Sequence, residues 1–286
     1  MTPYILKKGM IQFVIVLVVT VLPVFMACKK NTITTAEEVV VTPPVPEVKY
    51  VLDWADEFEG TTLNAANWTP EIGYNIGGNA EQENYQAANI AVADGHLQIT
   101  AKKQQIGVSG YTSGRINSLN KKDFTYGKIE ARMKLPRGQG LWPAFWMLGS
   151  NMRARGGEPG VGWPACGEID ILEAINTEIW ASAAAHWAKP DGTHISSGNK
   201  INTTPGEYHV YSVIWTKETI KWYIDDKFYN GLWIKDGKGS TSEFHLPFNI
   251  IFNLAVGGTW PGQVIDDTKL PAVMLVDYVR VYKEVK

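Results

Sequence analysis

The sequence is poor in cysteine: only Cys28 and Cys166 occur among its 286 residues. This excludes a fold held together by a framework of several disulfides. The formal net charge is −2, and no run of five or more lysines and arginines occurs. Both features argue against a nucleic-acid-binding protein. After residue 50, no stretch of twelve residues keeps a 3.6-residue apolar period, which argues against long amphipathic helices.

Tryptophan and tyrosine, by contrast, are abundant: the chain has 11 Trp and 12 Tyr against 9 Phe. Both side chains combine a flat apolar face with a polar edge. Such side chains suit a surface that binds flat, hydroxyl-rich ligands such as sugars. Core packing is the alternative interpretation for most of them.

The N-terminal segment has the order of a secretory signal. Two lysines precede an apolar stretch from Met10 to Met26, and a small residue and Cys28 follow. A small residue directly before a cysteine resembles a bacterial lipobox, although Phe25 stands where leucine is usual. We therefore expect residues 1–27 to be a removed signal peptide and Cys28 to be acylated. Plain secretion and an uncleaved membrane anchor are the alternatives.

Residues 28–48 would then be the lipidated cysteine and a linker, because VVVTPPVPEVK favours an extended polyproline-type spacer. The lipid would hold the protein on a membrane of the bacterial cell envelope, at the outer membrane or the cell surface; without it the protein is secreted. Residues 49–286 show no second linker and no internal repeat. We expect them to form one domain and the protein to be a monomer.

Most of that domain shows the period-two pattern of half-buried strands. In YGKIEARMKL (126–135), for example, Ile129, Ala131 and Met133 alternate with charged residues. Turns rich in glycine and asparagine separate segments of this kind. The sequence therefore predicts an all-β fold: a sandwich, jelly roll or barrel of many short antiparallel strands. A sandwich with one curved sheet would offer a long open groove for a polymer.

The segment GEIDILEAIN (167–176) places three acids close together. In a helix, Glu168 and Glu173 would point about 140° apart. In a strand, Glu168 and Asp170 share one face, and Glu173 joins them only if a β-bulge near Ile171-Leu172 absorbs one residue. The two glutamate carboxyls would then be about 5 Å apart, which is the separation expected of a retaining glycosidase. A calcium site or a charged edge strand is the alternative.

These residues resemble the signature E-I-D-x-x-E of glycoside hydrolase family 16, and in particular its laminarinase-like endo-β-1,3(4)-glucanases. Other blocks are similar and occur in the same order, so that the resemblance covers essentially residues 50–286. It implies a β-jelly-roll sandwich of two antiparallel sheets with a concave substrate cleft, in which Glu168 is the nucleophile, Glu173 the general acid/base and Asp170 a helper. The other blocks are YTSGRINS, YGKIEARMKLPRGQGLWPAFWMLG, GWPACGEIDILE and NLAVGGTWPG.

The same resemblance implies a set of substrate-binding residues. Trp142 and Trp146 lie four residues apart, so both face the same side of a strand, and with Trp163 they are expected to stack on sugar rings. Arg115 is expected to donate to sugar hydroxyls, with a surface salt bridge as its alternative. His186 is expected on the strand next to the acidic one, near the acid/base.

The loop GGNAEQENYQ (77–86) resembles the family segment N-N-E-L-Q-Y-Y, which lines the donor side of the cleft. Asn79 and Glu81 match it and are expected to bind substrate. Gln82 and Asn84 depart from it. The departure leaves both a β-1,3 preference and a mixed-linkage preference open.

No cofactor is expected for catalysis. Family members often bind one structural calcium ion on the convex side, and Asp277 and the backbone around Glu57 and Gly95 occupy the comparable places in this sequence. Cys166 lies two residues before Glu168 but has no evident partner base, so we interpret it as a buried free thiol rather than a nucleophile.

The sequence therefore predicts a retaining endo-β-glucanase that binds β-glucan polysaccharide, such as laminarin or cereal β-glucan. A galactan-active, agarase-like hydrolase and a transglycosylase of the same fold are the alternatives within the family. A non-catalytic glycan-binding lipoprotein is the alternative from another class, but such proteins tend to lose a catalytic carboxylate.

Overall fold

The computed structural model describes residues 49–152, 160–204, 206–235 and 240–285. Within these ranges the chain forms β-strands, turns and short 3₁₀ segments, without an α-helix. The predicted signal peptide, Cys28 and the linker lie outside the described residues. Among the residues that are described, no helix has the length and apolar character needed to cross a lipid bilayer.

Nineteen strands are formed by the described residues. Their bounds, in chain order, are β1 Lys49–Asp56, β2 Thr69–Pro70, β3 Gly73–Tyr74, β4 Glu83–Tyr85, β5 Ile90–Ala93, β6 His96–Ile106, β7 Ser109–Ser113, β8 Arg115–Asn117, β9 Asp123–Phe124, β10 Gly127–Lys134, β11 Leu141–Gly149, β12 Glu168–Glu173, β13 Trp180–Ala188, β14 His194–Asn202, β15 Tyr208–Trp215, β16 Thr219–Ile224, β17 Lys227–Trp233, β18 Phe248–Val256 and β19 Ala272–Val285.

The strands belong to two sheets. The cleft sheet has eight strands in the order β14-β13-β12-β11-β18-β8-β2, with β9 on β18. The backing sheet has eleven strands in the order β17-β16-β15-β10-β19-β6-β7-β4-β3, with β1 on β19 and β5 on β6. All pairings are antiparallel except that of β4 with β7, which is parallel. The predicted all-β sandwich of two sheets is confirmed.

The hydrophobic core lies between the two sheets and follows the period-two pattern. On β10, Ile129, Ala131 and Met133 are fully buried, as the alternation predicts. On β11, Phe145 and Met147 are buried, while Trp142 and Trp146 point to the opposite face. Each inward side chain stabilises the sandwich by removing apolar surface from water. The outward face of the cleft sheet is thereby left for polar and aromatic residues.

Candidate active site

Strand β12 carries the three acids and contains the predicted bulge. Its pairing with β13 loses register between Asp170 and Glu173, and its pairing with β11 shifts at the same level. The two residues in between, Ile171 and Leu172, are both fully buried. The extra residue returns Glu173 to the face that Glu168 and Asp170 occupy, because successive residues of a regular strand alternate between faces.

A cavity of about 330 Å³ lies on that outward face of the cleft sheet. Nine of the ten residues predicted to be catalytic or substrate-binding line it; His186 lies beside it. The nine are Asn79, Glu81, Arg115, Trp142, Trp146, Trp163, Glu168, Asp170 and Glu173.

Glu168 lies at one end of the bulged strand. The indole Nε1 of Trp163 donates a hydrogen bond to its Oε2 at 3.0 Å, and Asp170 shares a side-chain hydrogen bond with it. Burial and the nearby carboxyls of Asp170 and Glu173 raise the pKa of Glu168 well above its usual value, while His186 and the Trp163 donor act in the opposite direction. These two contacts favour the carboxylate form that a nucleophile needs.

Glu173 lies at the other end and has a different environment. The indole Nε1 of Trp142 donates to its Oε1 at 3.0 Å. Burial, followed by the charge of Asp170, raises the pKa of Glu173 to about 8. Glu173 can therefore hold a proton near neutral pH and act as a general acid.

Asp170 lies between the two glutamates and is almost completely buried. Burial raises the pKa of its carboxyl, and the hydrogen bond with Glu168 opposes that rise. The protons of Glu168 and Asp170 are therefore coupled: ionisation of one disfavours ionisation of the other.

The structure corrects the predicted neighbour of His186. We expected this residue near the acid/base, but the antiparallel register of β12 and β13 places it opposite Glu168 and places Ser182 opposite Glu173. The Nε2 atom of His186 is 3.1 Å from Asp170 Oδ2 and 3.9 Å from Glu168 Oε1. His186 therefore lies beside Glu168 and Asp170, the predicted nucleophile and helper.

The aromatic and cationic residues of the cavity are held by partners that were not among the predicted site residues. The Nε1 atom of Trp146 donates to Asn253 Oδ1 at 2.7 Å. Arg115 lies over the Trp146 ring at 5.0 Å and forms a partly buried ion pair with Glu71. Asn253 lies within the NLAVGGTWPG block, so the resemblance to the family could have identified it as a site residue. Glu71 is 44 residues from Arg115 and lies in no such block, so the sequence offered no indication of this pair.

The loop of residues 77–86 closes one side of the cavity. Glu81 is 3% exposed, and a Cβ atom at Gly77 would lie 2.1 Å from its Oε1, so a larger residue at position 77 would force this carboxyl to move. Burial raises the pKa of Glu81, although Arg115 lowers it. Its neighbour Glu83 is fully buried and accepts a hydrogen bond from the Val256 amide at 2.8 Å. Burial and the charge of Glu81 raise the pKa of Glu83 to about 8.

Both carboxylates among the residues of the predicted calcium site are paired with arginines. Both Glu57 carboxylate oxygens accept hydrogen bonds from Arg280 at 2.8 Å. Asp277 is paired with Arg132 at 2.6 Å. Gly95 lies in the tight turn between β5 and β6. Calcium needs several oxygen ligands. These ion pairs concern only the two carboxylates, so the structural calcium site, which also includes backbone oxygens around Glu57 and Gly95, stays a prediction and has no part in the mechanism.

The interpretation of Cys166 as a buried free thiol is confirmed. Burial and the charge of Glu168 raise the pKa of this thiol to about 12. A thiol with such a pKa is protonated at neutral pH and is a poor nucleophile.

Comparison with known proteins agrees with this geometry. Residues 78–280 match the model of glycosyl hydrolases family 16. The chain is 35% identical to a beta-glucanase of Rhodothermus marinus, over 82% of this chain and 86% of that protein. It is 37% identical to glucan endo-1,3-beta-glucosidase A1 of Niallia circulans, over 85% of this chain.

Among solved structures, an endo-beta-1,3-glucanase from Pyrococcus furiosus is 40% identical, with a TM-score of 0.74 over 85% of this chain and all of that one. The chain spans only 35% and 39% of the length of two of the curated relatives that it matches. The family match covers well over half of the chain and includes the bulged strand with its three acids. The chain therefore belongs to glycosyl hydrolases family 16.

Proposed function

We propose that the protein is a retaining endo-β-glucanase that hydrolyses β-1,3-glucans or mixed-linkage β-1,3-1,4-glucans. The observation that carries this proposal is the bulge in β12, which brings Glu168 and Glu173 to one cavity in unlike environments. Support also comes from the relatives, which are named as glucanases, and from the tryptophans that line the cavity.

The first step of the reaction forms a covalent glycosyl-enzyme. The Glu168 carboxylate attacks the anomeric carbon, while protonated Glu173 gives its proton to the oxygen of the departing sugar. The bond between that carbon and that oxygen breaks, and an ester bond to Glu168 replaces it. Trp142 stays hydrogen-bonded to Glu173 and stabilises the carboxylate that remains.

The second step releases the sugar. The Glu173 carboxylate accepts a proton from a water molecule, whose oxygen attacks the anomeric carbon and displaces Glu168. Two displacements at the same carbon restore its original β-configuration. Glu168 leaves as a carboxylate, which the Trp163 indole and the nearby His186 stabilise.

Asp170 and His186 would position the nucleophile. Asp170 shares a hydrogen bond with Glu168, and its Oδ2 lies 3.1 Å from His186. His186 is in turn hydrogen-bonded to His194, with 2.9 Å between Nδ1 and Nε2. This chain of contacts fixes the rotamer of Glu168 and shares its charge over two carboxyls.

We also propose that the protein is attached to a membrane of the cell envelope through acylated Cys28, on the evidence of the sequence order around residues 10–28. The C28S substitution is expected to move the protein from the membrane fraction to the soluble fraction of cells. A wild-type protein found only in the soluble fraction would contradict lipid anchoring.

Release of reducing sugar from laminarin, barley β-glucan and agarose tests the proposed activity. We expect endo-cleavage of one or both glucans, with agarose untouched, and their ratio gives the linkage preference. Proton NMR of the first products is expected to show the β-anomer, as retention requires. Binding of laminarin without any hydrolysis would favour a glycan-binding protein, and cleavage of agarose alone would favour a galactanase.

A further inference from the structure

The cavity covers only one side of the catalytic carboxyls, because its lining comes from β8, β11, β12, β18 and the loops beside them. Strands β13 and β14 lie on the other side of β12. An enzyme that cuts inside a polymer must hold sugar units on both sides of the bond that it breaks. The outward face of β13 and β14 is therefore where the second half of the cleft must lie.

The register of these strands aligns a row of side chains with the acid/base. Glu173 is opposite Ser182 on β13, and Ser182 is opposite Lys200 on β14. The three residues therefore share the outward face of the sheet. Trp180 precedes Ser182 by two residues and lies on the same face.

A line of indoles connects Glu173 to this row. Trp142, which donates to Glu173, meets Trp260 edge-on, with 5.5 Å between ring centroids. Trp260 in turn lies 6.0 Å from Trp180 at an interplanar angle of 34°. Trp260 is 36% exposed, so part of its ring is open to a ligand. The three rings form a wall that continues past the scissile position.

Lys200 completes this wall. Its Nζ atom is 3.6 Å from the Trp180 ring centroid and 5.9 Å from that of Trp260. Among the ion pairs formed by residues in the described ranges, none involves Lys200. The ring faces of Trp180 and Trp260 therefore hold the Lys200 ammonium group in place. Its N–H groups remain able to donate hydrogen bonds to oxygen atoms of a ligand.

Trp163 and His194 form the facing wall, with 4.7 Å between their rings. Trp163 is 46% exposed. The floor between the walls is made of small residues, among them Ala184 opposite Gly198. An open trough with aromatic sides and a cation at its rim has the chemistry that binds pyranose rings.

Sugar units beyond the scissile bond would lie in this trough, and we infer that Lys200 is a specificity-determining residue that donates to a hydroxyl of one of them. A sugar ring stacks on the exposed part of Trp260, and Trp180 holds the Lys200 ammonium in position. This inference rests on the proposed glucanase activity.

The cleavage pattern of laminarihexaose labelled at its reducing end tests the inference. The W180A and K200M variants are compared with the wild type and with W233A, which removes an exposed tryptophan from β17, in the backing sheet. We expect W180A and K200M to shift the preferred cleavage position of the hexaose so that fewer glucosyl units occupy the trough. The ratio of the labelled products should change about two- to five-fold. W233A should leave the ratio unchanged.

Equal loss of every product in W180A and K200M would overturn the inference, because it would mean that both residues only support the carboxyls. An unchanged product ratio in both variants would overturn it as well. Failure of the proposed function looks different: the wild type would then cleave no bond of the hexaose, and the trough would lose its role with it.

Discussion

Carboxyl groups on the outward faces of the two sheets have opposite kinds of charged neighbours. On the backing sheet, Glu57 is paired with Arg280 and Asp277 with Arg132. On the cleft sheet, Glu168, Asp170 and Glu173 lie together, and the charge nearest to them is that of His186, if protonated. Carboxylates that arginines neutralise stabilise the fold slightly, whereas carboxyls buried beside each other acquire raised pKa values that catalysis can use.

This contrast separates the predicted calcium residues from the catalytic ones. Glu57 and Asp277 are acids, like Glu168, Asp170 and Glu173, and the sequence offered a function for each group. The arginines opposite Glu57 and Asp277 come from positions far along the chain or on another strand, so that only the folded structure shows the neutralisation. Five substitutions test the contrast.

Substitution of the nucleophile is expected to have the largest effect. E168Q removes the attacking carboxylate but keeps the shape, so kcat on laminarin should fall by about 10⁴-fold or more. E218Q, an exposed glutamate near Lys235, is the matched control and should retain full activity. Substantial hydrolysis by E168Q would remove Glu168 from the role of nucleophile.

Substitution of Glu173, the proposed acid/base, is expected to lower kcat somewhat less than substitution of Glu168. E173Q keeps the hydrogen bond from Trp142 but cannot donate a proton to the departing oxygen, so kcat should fall by about 10²- to 10⁴-fold. An aryl glucoside with an acidic leaving group needs less protonation, and the first step on such a substrate should be far less affected. An equal loss on both substrates would contradict the assignment.

The alkaline side of the pH profile tests the raised pKa of Glu173. Activity requires its protonated form, so kcat/KM should fall as pH rises through about 8. W142F removes the N–H that stabilises the Glu173 carboxylate, so the alkaline limb should move upwards by about 0.5 to 1 pH unit. W233F should leave the limb in place, and a downward shift in W142F would contradict the hydrogen-bond role.

Glu83, another buried carboxyl, allows the effect of a raised pKa to be measured on stability rather than on activity. Its folded-state pKa of about 8 lies above the value of about 4.3 in an unfolded chain. The protonated form is therefore favoured by folding, and wild-type stability should decline as pH rises from about 4 to about 8. E83Q keeps an acceptor for the Val256 amide and removes the ionisation.

Thermal denaturation across pH measures this effect. E83Q should be about 5 kcal/mol more stable than the wild type at pH 9, which corresponds to a rise in Tm of about 10 to 20 °C. The two proteins should unfold at similar temperatures at pH 4. A Tm difference that does not change with pH would show that Glu83 does not titrate in this range.

The smallest effect is expected on the backing sheet. E57Q weakens a half-exposed ion pair with Arg280, and exposed pairs contribute at most about 1 kcal/mol. Activity on glucan should not change. A loss of several kcal/mol, or a loss that added calcium restores, would show that Glu57 has a role beyond this pair.

The sequence by itself determined the fold class and the bulge that brings the proposed catalytic pair to one face. Period-two alternation marks which residues of β10 and β11 face the core, because a strand alternates its side chains whatever surrounds it. The five-residue spacing of Glu168 and Glu173 required a bulge for the same local reason, and the bulge is present.

Only the tertiary structure decided which partners these residues have. The register of β12 and β13 placed His186 beside Glu168, and the packing of distant strands brought Glu71 to Arg115 and Asn253 to Trp146. These contacts join positions up to 107 residues apart, and no local pattern encodes them. The pKa of a carboxyl depends on such neighbours and on its burial, so the difference between a structural acid and a catalytic one appears only in the folded chain.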